Sequence, residues 1–300
     1  MQSSEATEAR QPARSGAARS RAGRGRLEWR TLRLWLAFAW LVVIIGVAVL
    51  ADVLPFAEAR NPGKTLYEPA LATPDLASGH PLGTDRHGLD LLGGLAYGAR
   101  VSLTVGIGAT ALGCLIGMLI GLTAGFVRGR LDAVVGLLTD SMLAFPPLIL
   151  LIGAVAVMRP SVLVVTCSLA LLTVPSYVRL ARAHTLTLVP REFVLQARAL
   201  GATSSRIVFK ELLPNVVWPM LSYSIVVVAA MIVSEASLSY LGLSVQRPNP
   251  TWGNMIAAGQ DSFQQYPHLV LVPAVAMFLT VLSINAVGEA VRSRELRNAR

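Results

Sequence analysis

The stretch REFVLQARALGATSSRIVFKELLPN, residues 191–215, is the only long polar segment in the apolar second half of the chain. Within it, Phe193, Ala197 and Leu200 recur at the spacing of one helix face. This spacing predicts a short amphipathic helix from Glu192 to Leu200. Such a helix lies at the water-facing edge of an apolar bundle, where a soluble partner can bind it. The alternative interpretation is a helix that rests on the lipid surface.

A second helix is predicted to follow the first after a glycine. Gly201 suits the left-handed backbone conformation that ends many helices. Thr203 or Ser204 can then cap the second helix, and Pro214 is expected to end it. Residues 191–215 are therefore predicted to form two short helices joined at Gly201.

The composition of the chain is that of a membrane protein. Of its 300 residues, 54% are apolar and only 14% are charged, and the mean hydropathy is +0.58. Soluble domains carry about 25% charged residues. We therefore expect an all-α membrane protein with six transmembrane helices, each apolar segment having the roughly 20 residues needed to cross a bilayer. The predicted spans are residues 34–53, 101–127, 131–158, 161–180, 216–241 and 269–291.

The basic residues predict how the chain lies in the membrane. The net charge is +9, and residues 1–33 and 292–300 are basic tails, the first of which is predicted to be disordered. With six spans and a cytoplasmic N-terminus, about 20 of the 26 Lys and Arg fall on the inner side, as the positive-inside rule expects. Both termini and residues 191–215 are therefore predicted to be cytoplasmic. An RNA-binding tail is less favoured, and no nucleic-acid partner is expected.

The loop at residues 54–98 is predicted to be extracytoplasmic and to contain an interfacial segment. His80, Asp85, His87 and Asp90 are close together in this loop and could act as metal ligands. The favoured interpretation is structural: a turn at residues 83–85 caps a short helix that lies at the interface before the second span. No metal site is therefore predicted.

One motif resembles a nucleotide-binding site but lacks a glycine that such a site requires. Residues 62–65 read PGKT, like the end of a phosphate-binding loop, but the first glycine that this loop needs is replaced by Glu58. The chain also lacks an evident nucleophile–base pair. We therefore expect no catalytic residues and no bound cofactor.

Four glycines recur at every fourth position of the second span, at residues 113, 117, 121 and 125. Residues at this spacing share one helix face, and small residues let another helix approach closely in lipid. The glycines therefore predict a tight helix–helix contact and indicate nothing about a substrate.

The third span contains two features that are costly in lipid. Asp140 is a carboxylate in an apolar segment, and Phe145, Pro146 and Pro147 interrupt the middle of the helix. Such features are tolerated where protein or water supplies hydrogen-bond partners. Asp140, Phe145 and Pro146 are therefore predicted to line a pathway across the membrane. Alternatively, Asp140 binds an arginine or the backbone near the inner surface.

Several short motifs follow one another in a consistent order: HPLGTD at 80–85, ARALGA at 197–202, LLPN at 212–215, EASLSYLGL at 235–243 and PTWGN at 250–254. Together they resemble the binding-protein-dependent ABC importer permeases of the dipeptide, oligopeptide and nickel type. The resemblance covers about residues 27–289. It departs at residues 195–197, which read LQA where family members often have Glu-Ala-Ala.

The resemblance implies a type I ABC importer permease fold. Residues 99–291 would form a five-helix core with a cytoplasmic coupling loop at 182–214. The residues implied to contact the ATPase are Glu192, Leu195, Gln196, Ala197, Arg198, Ala199, Leu200, Gly201, Ala202 and Arg206.

Two residues of the EASLSYLGL motif are further candidates for the pathway. Glu235 and Ser239 are assigned to it, with Glu235 touching substrate or gating the exit from the binding protein. Alternatively, Glu235 is a structural acid hydrogen-bonded to Ser237 or Ser239. Trp252 in the next motif is expected to lie in the aromatic belt at the membrane interface.

The family resemblance also implies partners and a location. The partners would be a second related permease, two ATPase subunits or one dual-domain ATPase, an extracytoplasmic substrate-binding protein, and membrane lipid. ATP and Mg would bind to the ATPase subunits. The location would be the bacterial inner membrane.

Import of di- or oligopeptides is the leading functional hypothesis, with nickel or haem as other cargo. One rival is an ion-coupled secondary transporter, which needs several ionisable groups within the membrane, whereas only Asp140 and Glu235 are evident. The other rival is a membrane enzyme that uses the histidines and aspartates of residues 80–90.

Overall fold

The computed structural model describes residues 15–75, 79–156, 160–246 and 248–298. In these ranges every regular element is helical, which confirms the all-α prediction. Two short 3-10 turns lie at Pro62–Lys64 and Gln260–Ser262. The helices, in chain order, are α1 (Ser15–Leu50), α2 (Leu91–Val127), α3 (Gly129–Ala144), α4 (Pro147–Ala156), α5 (Val162–Leu188), α6 (Glu192–Ala199), α7 (Ser204–Tyr240), α8 (Trp252–Gly259) and α9 (His268–Asn298).

Five of these helices are long and apolar enough to cross a membrane, namely α1, α2, α5, α7 and α9. Helices α3 and α4 pass the same test as a pair that is bent by 93°. Counted as one broken span, the pair completes the six that the sequence predicts. The bend falls at the predicted interruption, because Phe145 adopts the extended backbone that is favoured before a proline.

The glycine face of α2 makes the predicted close helix contact, and its partner is α5. A Cβ atom added at Gly117 would lie 2.5 Å from the Cβ of Tyr177, and one added at Gly121 would lie 2.4 Å from the carbonyl oxygen of Val178. Distances this short mean that only glycine allows the two helices to approach this closely. Gly113 and Gly125 make the same kind of contact one turn away on either side.

Helix α2 begins at Leu91 rather than at Val101. The carboxylate of Asp90 caps it by accepting a hydrogen bond from the N–H of Gly93 at 2.7 Å. The sequence interpretation assigned the cap to a turn at residues 83–85 and placed a separate interfacial helix after it. That interpretation is wrong, because the predicted short helix is the first part of α2 itself.

The predicted tails also differ from the structure. Helix α1 begins at Ser15, so residues 15–33 are helical where disorder was predicted, and residues 1–14 lie outside the described ranges. At the other end, α9 continues to Asn298, past the predicted end of the last span at Val291. In both places the helix of an apolar span extends into the adjoining polar segment.

Arg100 on α2 holds the C-terminal end of α1. Its guanidinium donates to the carbonyl oxygens of Ala48 at 2.7 Å and Val49 at 3.0 Å, and to the carboxylate of Asp52 at 2.6 Å. A cation at this position satisfies carbonyl groups that a helix end leaves unpaired. The hydrogen bond from Arg100 also lowers the pKa of Asp52 below its usual value, which keeps the carboxylate charged.

Trp252 is fully buried, contrary to its predicted place in an interfacial belt. Its indole N–H donates to the carbonyl oxygen of Leu95 on α2 at 3.2 Å. The ring is part of an apolar cluster built from α1, α2, α7 and α9. Trp252 therefore joins four helices at the end of the bundle opposite residues 191–215.

Candidate functional site

Helix α6 ends in a Schellman motif at the predicted glycine. The N–H of Ala202 donates to the carbonyl oxygen of Ala197 at 3.0 Å, and the N–H of Gly201 donates to that of Arg198 at 3.1 Å. Gly201 has a φ of +79°, the left-handed conformation that this motif requires. A Cβ atom at Gly201 would meet nothing within 4 Å, so conformation rather than space selects glycine here. The predicted helix–glycine–helix shape agrees with the structure.

The buried face of α6 is not the predicted one. Val194 is fully buried, Phe193 and Ala197 are partly buried against the core, and Leu200 is 88% exposed. Leu200 occupies the C-cap, with a ψ of 8°, so its side chain has left the helical register on which the prediction relied. The face that anchors α6 is therefore centred on Val194.

The second helix does not end at Pro214. Thr203 caps it by accepting from the N–H of Arg206, and the helix then runs without a break from Ser204 to Tyr240. The turn before the proline, Ile207–Leu212, is π-helical. This wider turn changes the hydrogen-bond register just before the residue that lacks an N–H, so the chain passes the proline without terminating.

The residues predicted to contact an ATPase are mostly accessible. We define the coupling unit as residues 192–213, of which Val194, Ile207, Val208 and Leu212 are buried and attach the unit to the bundle. Among the predicted contact residues, Ala197 and Ala202 are half-buried. Those that are exposed are Glu192, Leu195, Gln196, Arg198, Ala199, Leu200, Gly201 and Arg206.

The exposed side of the coupling unit combines apolar and basic groups. Leu195 is 50% exposed and lies near Leu200 in sequence, at the tip of the unit. The guanidinium of Arg198 lies 5.8 Å from the ring centroid of Phe126, at the end of α2. This contact ties α6 to α2, and sequence reasoning did not find it because the two residues are far apart in the chain.

Asp140 forms an ion pair with Arg179 on α5 at 2.5 Å, and both side chains are exposed. A second pair joins Asp132 on α3 to Arg182 on α5. The geometry matches the alternative in which Asp140 binds an arginine. Both pairs link α3 to α5, and neither arginine was identified as a partner from the sequence.

Phe145 and Pro146 lie at the bend between α3 and α4, and both are exposed. Glu235 and Ser239 are instead buried near the C-terminal end of α7, where Ser239 donates a hydrogen bond to Glu235. The predicted pathway residues therefore differ in exposure, with Asp140, Phe145 and Pro146 accessible and Glu235 and Ser239 buried.

Glu235 is fully buried and is held by three serine hydroxyls. Its Oε1 accepts from Ser239 at 2.8 Å and from Ser244 at 2.7 Å, and its Oε2 accepts from Ser102 at 3.2 Å. The alternative partner Ser237 instead donates to the carbonyl oxygen of Val233. This geometry favours the structural interpretation of Glu235 over direct contact with a substrate.

The four candidate metal ligands of the loop do not form a common metal-binding cluster. The His80 ring lies between Asp90 at 3.2 Å and Glu68 at 3.4 Å. Asp85 accepts from the N–H groups of His87 and Leu89 and so stabilises a turn. Across the described residues, no group of three or more His, Cys, Asp or Glu side chains is arranged to hold a metal ion.

Comparison with known proteins identifies the family to which this helical architecture belongs. The family described as "Binding-protein-dependent transport system inner membrane component" matches residues 117–295. The chain is 33% identical over 270 residues to the di/tripeptide transport system permease protein DppC of Pseudomonas aeruginosa, with 88% of this chain and 89% of that protein covered. It is 32% identical over 268 residues to the glutathione transport system permease protein GsiD of Pectobacterium atrosepticum, with 88% of each covered.

A solved structure has the same fold. It is titled "Inward facing conformations of the MetNI methionine ABC transporter", and a chain of it matches with a TM-score of 0.54 and 18% identity. The match covers 67% of this chain and 95% of that one. On these grounds the chain belongs to the family of inner-membrane components of binding-protein-dependent transport systems: it is a multi-pass permease subunit of an ABC importer, which works with a substrate-binding protein and with separate ATPase subunits that hydrolyse ATP.

Proposed function

We propose that this permease forms half of the translocation pathway for di- or oligopeptides, which an extracytoplasmic binding protein delivers. The observation that carries the proposal is the coupling unit, an exposed helix–glycine–helix segment whose second helix is continuous with the span α7. A rigid connection of this kind lets a partner that binds the exposed side move a whole span.

The coupling unit is the proposed contact with the ATPase. Leu195 and Leu200 expose apolar surface at its tip, while Arg198 and Arg206 keep their charges accessible. Apolar anchors surrounded by polar groups are typical of protein–protein contacts. The alternative, a helix pair lying on lipid, gives no role to the glycine that fixes the angle between the two helices.

A second, related permease is proposed to complete the pathway. Helices α3 and α4 pack mainly against α2 and α5, and their remaining surface is apolar and exposed. Val134, Leu137, Leu138, Phe145 and Ile149 are each more than half exposed. A second subunit on this face would enclose Asp140, Phe145 and Pro146 between the two chains.

We further propose that both termini and the coupling unit are cytoplasmic in a bacterial inner membrane. Support comes from the distribution of Lys and Arg, which concentrates them on the side of the coupling unit. ATP and Mg would bind to the ATPase subunits on that side, and we propose no cofactor or nucleic acid for this chain.

The peptide cargo is supported by the relatives, whose names include di/tripeptide, dipeptide and glutathione transport permeases. The cargo named for each of these three relatives is a peptide or is peptide-like. Nickel and haem are the alternative cargo that the same kind of machinery could carry. The ion-coupled rival is less well supported, because Asp140 is paired with an arginine and Glu235 with serines.

The test is to purify the chain with its partners from native membranes and to identify, by mass spectrometry, what the co-purified binding protein carries. We expect short peptides and two ATPase sites per complex. Recovery of a metal chelate or haem would overturn the peptide cargo. Uptake that continues after ATP depletion but stops when the ion gradient is collapsed would favour the secondary transporter instead.

A further inference from the structure

Glu235 is a buried carboxylate near the C-terminal end of α7. It is fully buried, and in the described parts of the chain it takes part in no ion pair. Burying a charge is costly unless hydrogen bonds replace its water. Three serine hydroxyls from different parts of the chain provide those bonds, namely Ser102 on α2, Ser239 on α7 and Ser244 in the turn after α7.

Counting protons assigns the one hydrogen-bond direction in this network that the distances leave open. A hydroxyl has one proton, and Ser102 and Ser239 each use theirs on Glu235. The hydroxyl of Thr251, 3.2 Å from that of Ser239, must therefore donate to it. With this assignment the serine hydroxyls satisfy both oxygens of the Glu235 side chain.

Both hydrogen-bond chains end on the first turn of α8. The N–H of Trp252 donates to the hydroxyl of Ser102 at 3.3 Å, and the N–H of Asn254 donates to that of Thr251 at 3.1 Å. These are N–H groups of the positive end of a helix, which favours a negative charge. Glu235 is thus connected to α8 through one hydroxyl on one side and two on the other.

Helix α8 packs against α2 and α7 at very short distances. A Cβ atom added at Gly253 would lie 2.5 Å from the Cα of Ala236 on α7, and one added at Gly98 on α2 would lie 3.1 Å from the Trp252 ring. The close contact and the hydrogen bonds to Glu235 together fix α8 to both helices.

Helix α7 joins this cluster to the coupling unit. It has 37 residues, which corresponds to a length of about 55 Å at 1.5 Å per residue. Its first turns belong to the coupling unit, and Glu235 lies near its other end. Because the helix is continuous, a displacement at one end moves whatever is attached at the other.

We propose that Glu235 is a positioning residue that attaches α8 to the ends of α2 and α7, so that α8 and the coupling unit move together. In this arrangement a displacement at the end of the bundle opposite the coupling unit is transmitted to the coupling unit through α7. The inference rests on the proposed coupling role of residues 192–213. It assigns Glu235 to the connection between the two ends of the bundle rather than to contact with the cargo.

The test measures ATPase turnover of the assembled complex in lipid nanodiscs, with and without peptide-loaded binding protein. We expect the ratio of stimulated to basal turnover to fall toward one in Glu235→Gln, Ser102→Ala and Ser239→Ala. Ser237→Ala is the matched control, because this hydroxyl on the same helix bonds only within α7.

Hydrogen exchange of the same complexes tests the local attachment. Loss of a hydrogen bond to a charged group should make the amides of residues 252–256 exchange roughly ten- to a hundredfold faster, with the first half of α2 unchanged. If the Glu235→Gln variant fails to assemble, the Ser102→Ala variant provides the test, because it keeps the carboxylate and two of its hydrogen-bond donors.

Two outcomes overturn the proposal, and they differ from failure of the proposed function. Variants that exchange faster at α8 yet keep the wild-type ratio would show that the attachment does not carry the signal. Variants with wild-type exchange at α8 would show that Glu235 does not hold this helix. A wild-type complex that does not respond to any loaded binding protein would contradict the proposed function itself, and the inference with it.

Discussion

Gly201 shows how a single backbone angle shapes the coupling unit. Its φ of +79° costs an ordinary residue about 1–2 kcal/mol, although the surrounding space is open. Asn tolerates this conformation better than most residues, and Asp shares its shape while adding a charge. The two substitutions therefore separate the effect of the backbone from the effect of charge.

Gly201→Asp should leave membrane insertion intact and abolish the stimulation of ATPase activity by loaded binding protein. Its carboxylate would lie on the exposed side that the ATPase is proposed to contact. Gly201→Asn is the control and should keep a large part of the stimulation. Insertion is checked by fractionation and stimulation by phosphate release. Unaltered stimulation in Gly201→Asp would count against the coupling role.

Asp140 is the second residue whose role can be decided by substitution. Its pair with Arg179 is exposed, and such pairs contribute at most about 1 kcal/mol. If the pair is only structural, Asp140→Asn should change neither the melting temperature of the complex nor peptide uptake by much. Asp132→Asn removes the less exposed pair on the same helix and serves as the comparison. A large loss of uptake in Asp140→Asn at unchanged stability would instead support the pathway prediction.

At the scale of helices, the contact between α2 and α5 depends on the absence of side chains. Because lipid is as apolar as leucine, helices in a membrane gain little from burying large apolar groups and associate by close packing. The four glycines of α2 meet backbone and Cβ atoms of α5 directly. Periodicity alone predicted this contact, since glycine at every fourth position gives one helix face a continuous strip without side chains.

Gly117→Ala should destabilise the permease, whereas Gly136→Ala should not. At Gly117 the new Cβ would lie 2.5 Å from that of Tyr177, and overpacking of this kind typically costs about 1–3 kcal/mol. At Gly136 on α3 nothing lies within 4 Å, and alanine favours a helix over glycine by roughly 1 kcal/mol. Thermal unfolding of the purified complex measures both. Equal melting temperatures for the two variants would contradict the tight contact.

At the scale of the whole molecule, the bundle has a coupling unit at one end and the Glu235 cluster at the other, joined by α7. Which end faces the cytoplasm is a prediction from the distribution of basic residues and not from the packing. The orientation therefore needs a direct test, because the proposed function requires the coupling unit to meet the ATPase inside the cell.

Cysteine labelling of intact cells tests the orientation. In a Cys167→Ser background, which removes the exposed native thiol, Ser205→Cys marks the coupling unit and Ser262→Cys marks the opposite end. A membrane-impermeant maleimide should label Ser262→Cys in intact cells and Ser205→Cys only after permeabilisation. Labelling of Ser205→Cys from outside would exclude cytoplasmic coupling.

The sequence by itself determined the class of the protein, the glycine contact and the turn at Gly201, because each depends on local properties such as hydropathy, spacing and backbone freedom. It also identified the family motifs. It failed at Pro214 and Leu200, where a π-helical turn and a C-cap changed the helical register. Neither change is visible in residue types, because neighbouring packing selects it.

Only the tertiary structure decided what the isolated polar residues do. Glu235 and Ser102 are separated by 133 positions, and Asp140 and Arg179 by 39, so no local pattern connects them. A buried carboxylate must find hydrogen-bond donors wherever the fold brings them, and here they came from α2, α7 and the turn before α8. The partners of a polar group in a helical bundle are set by which helices meet, and that is a property of the assembled chain.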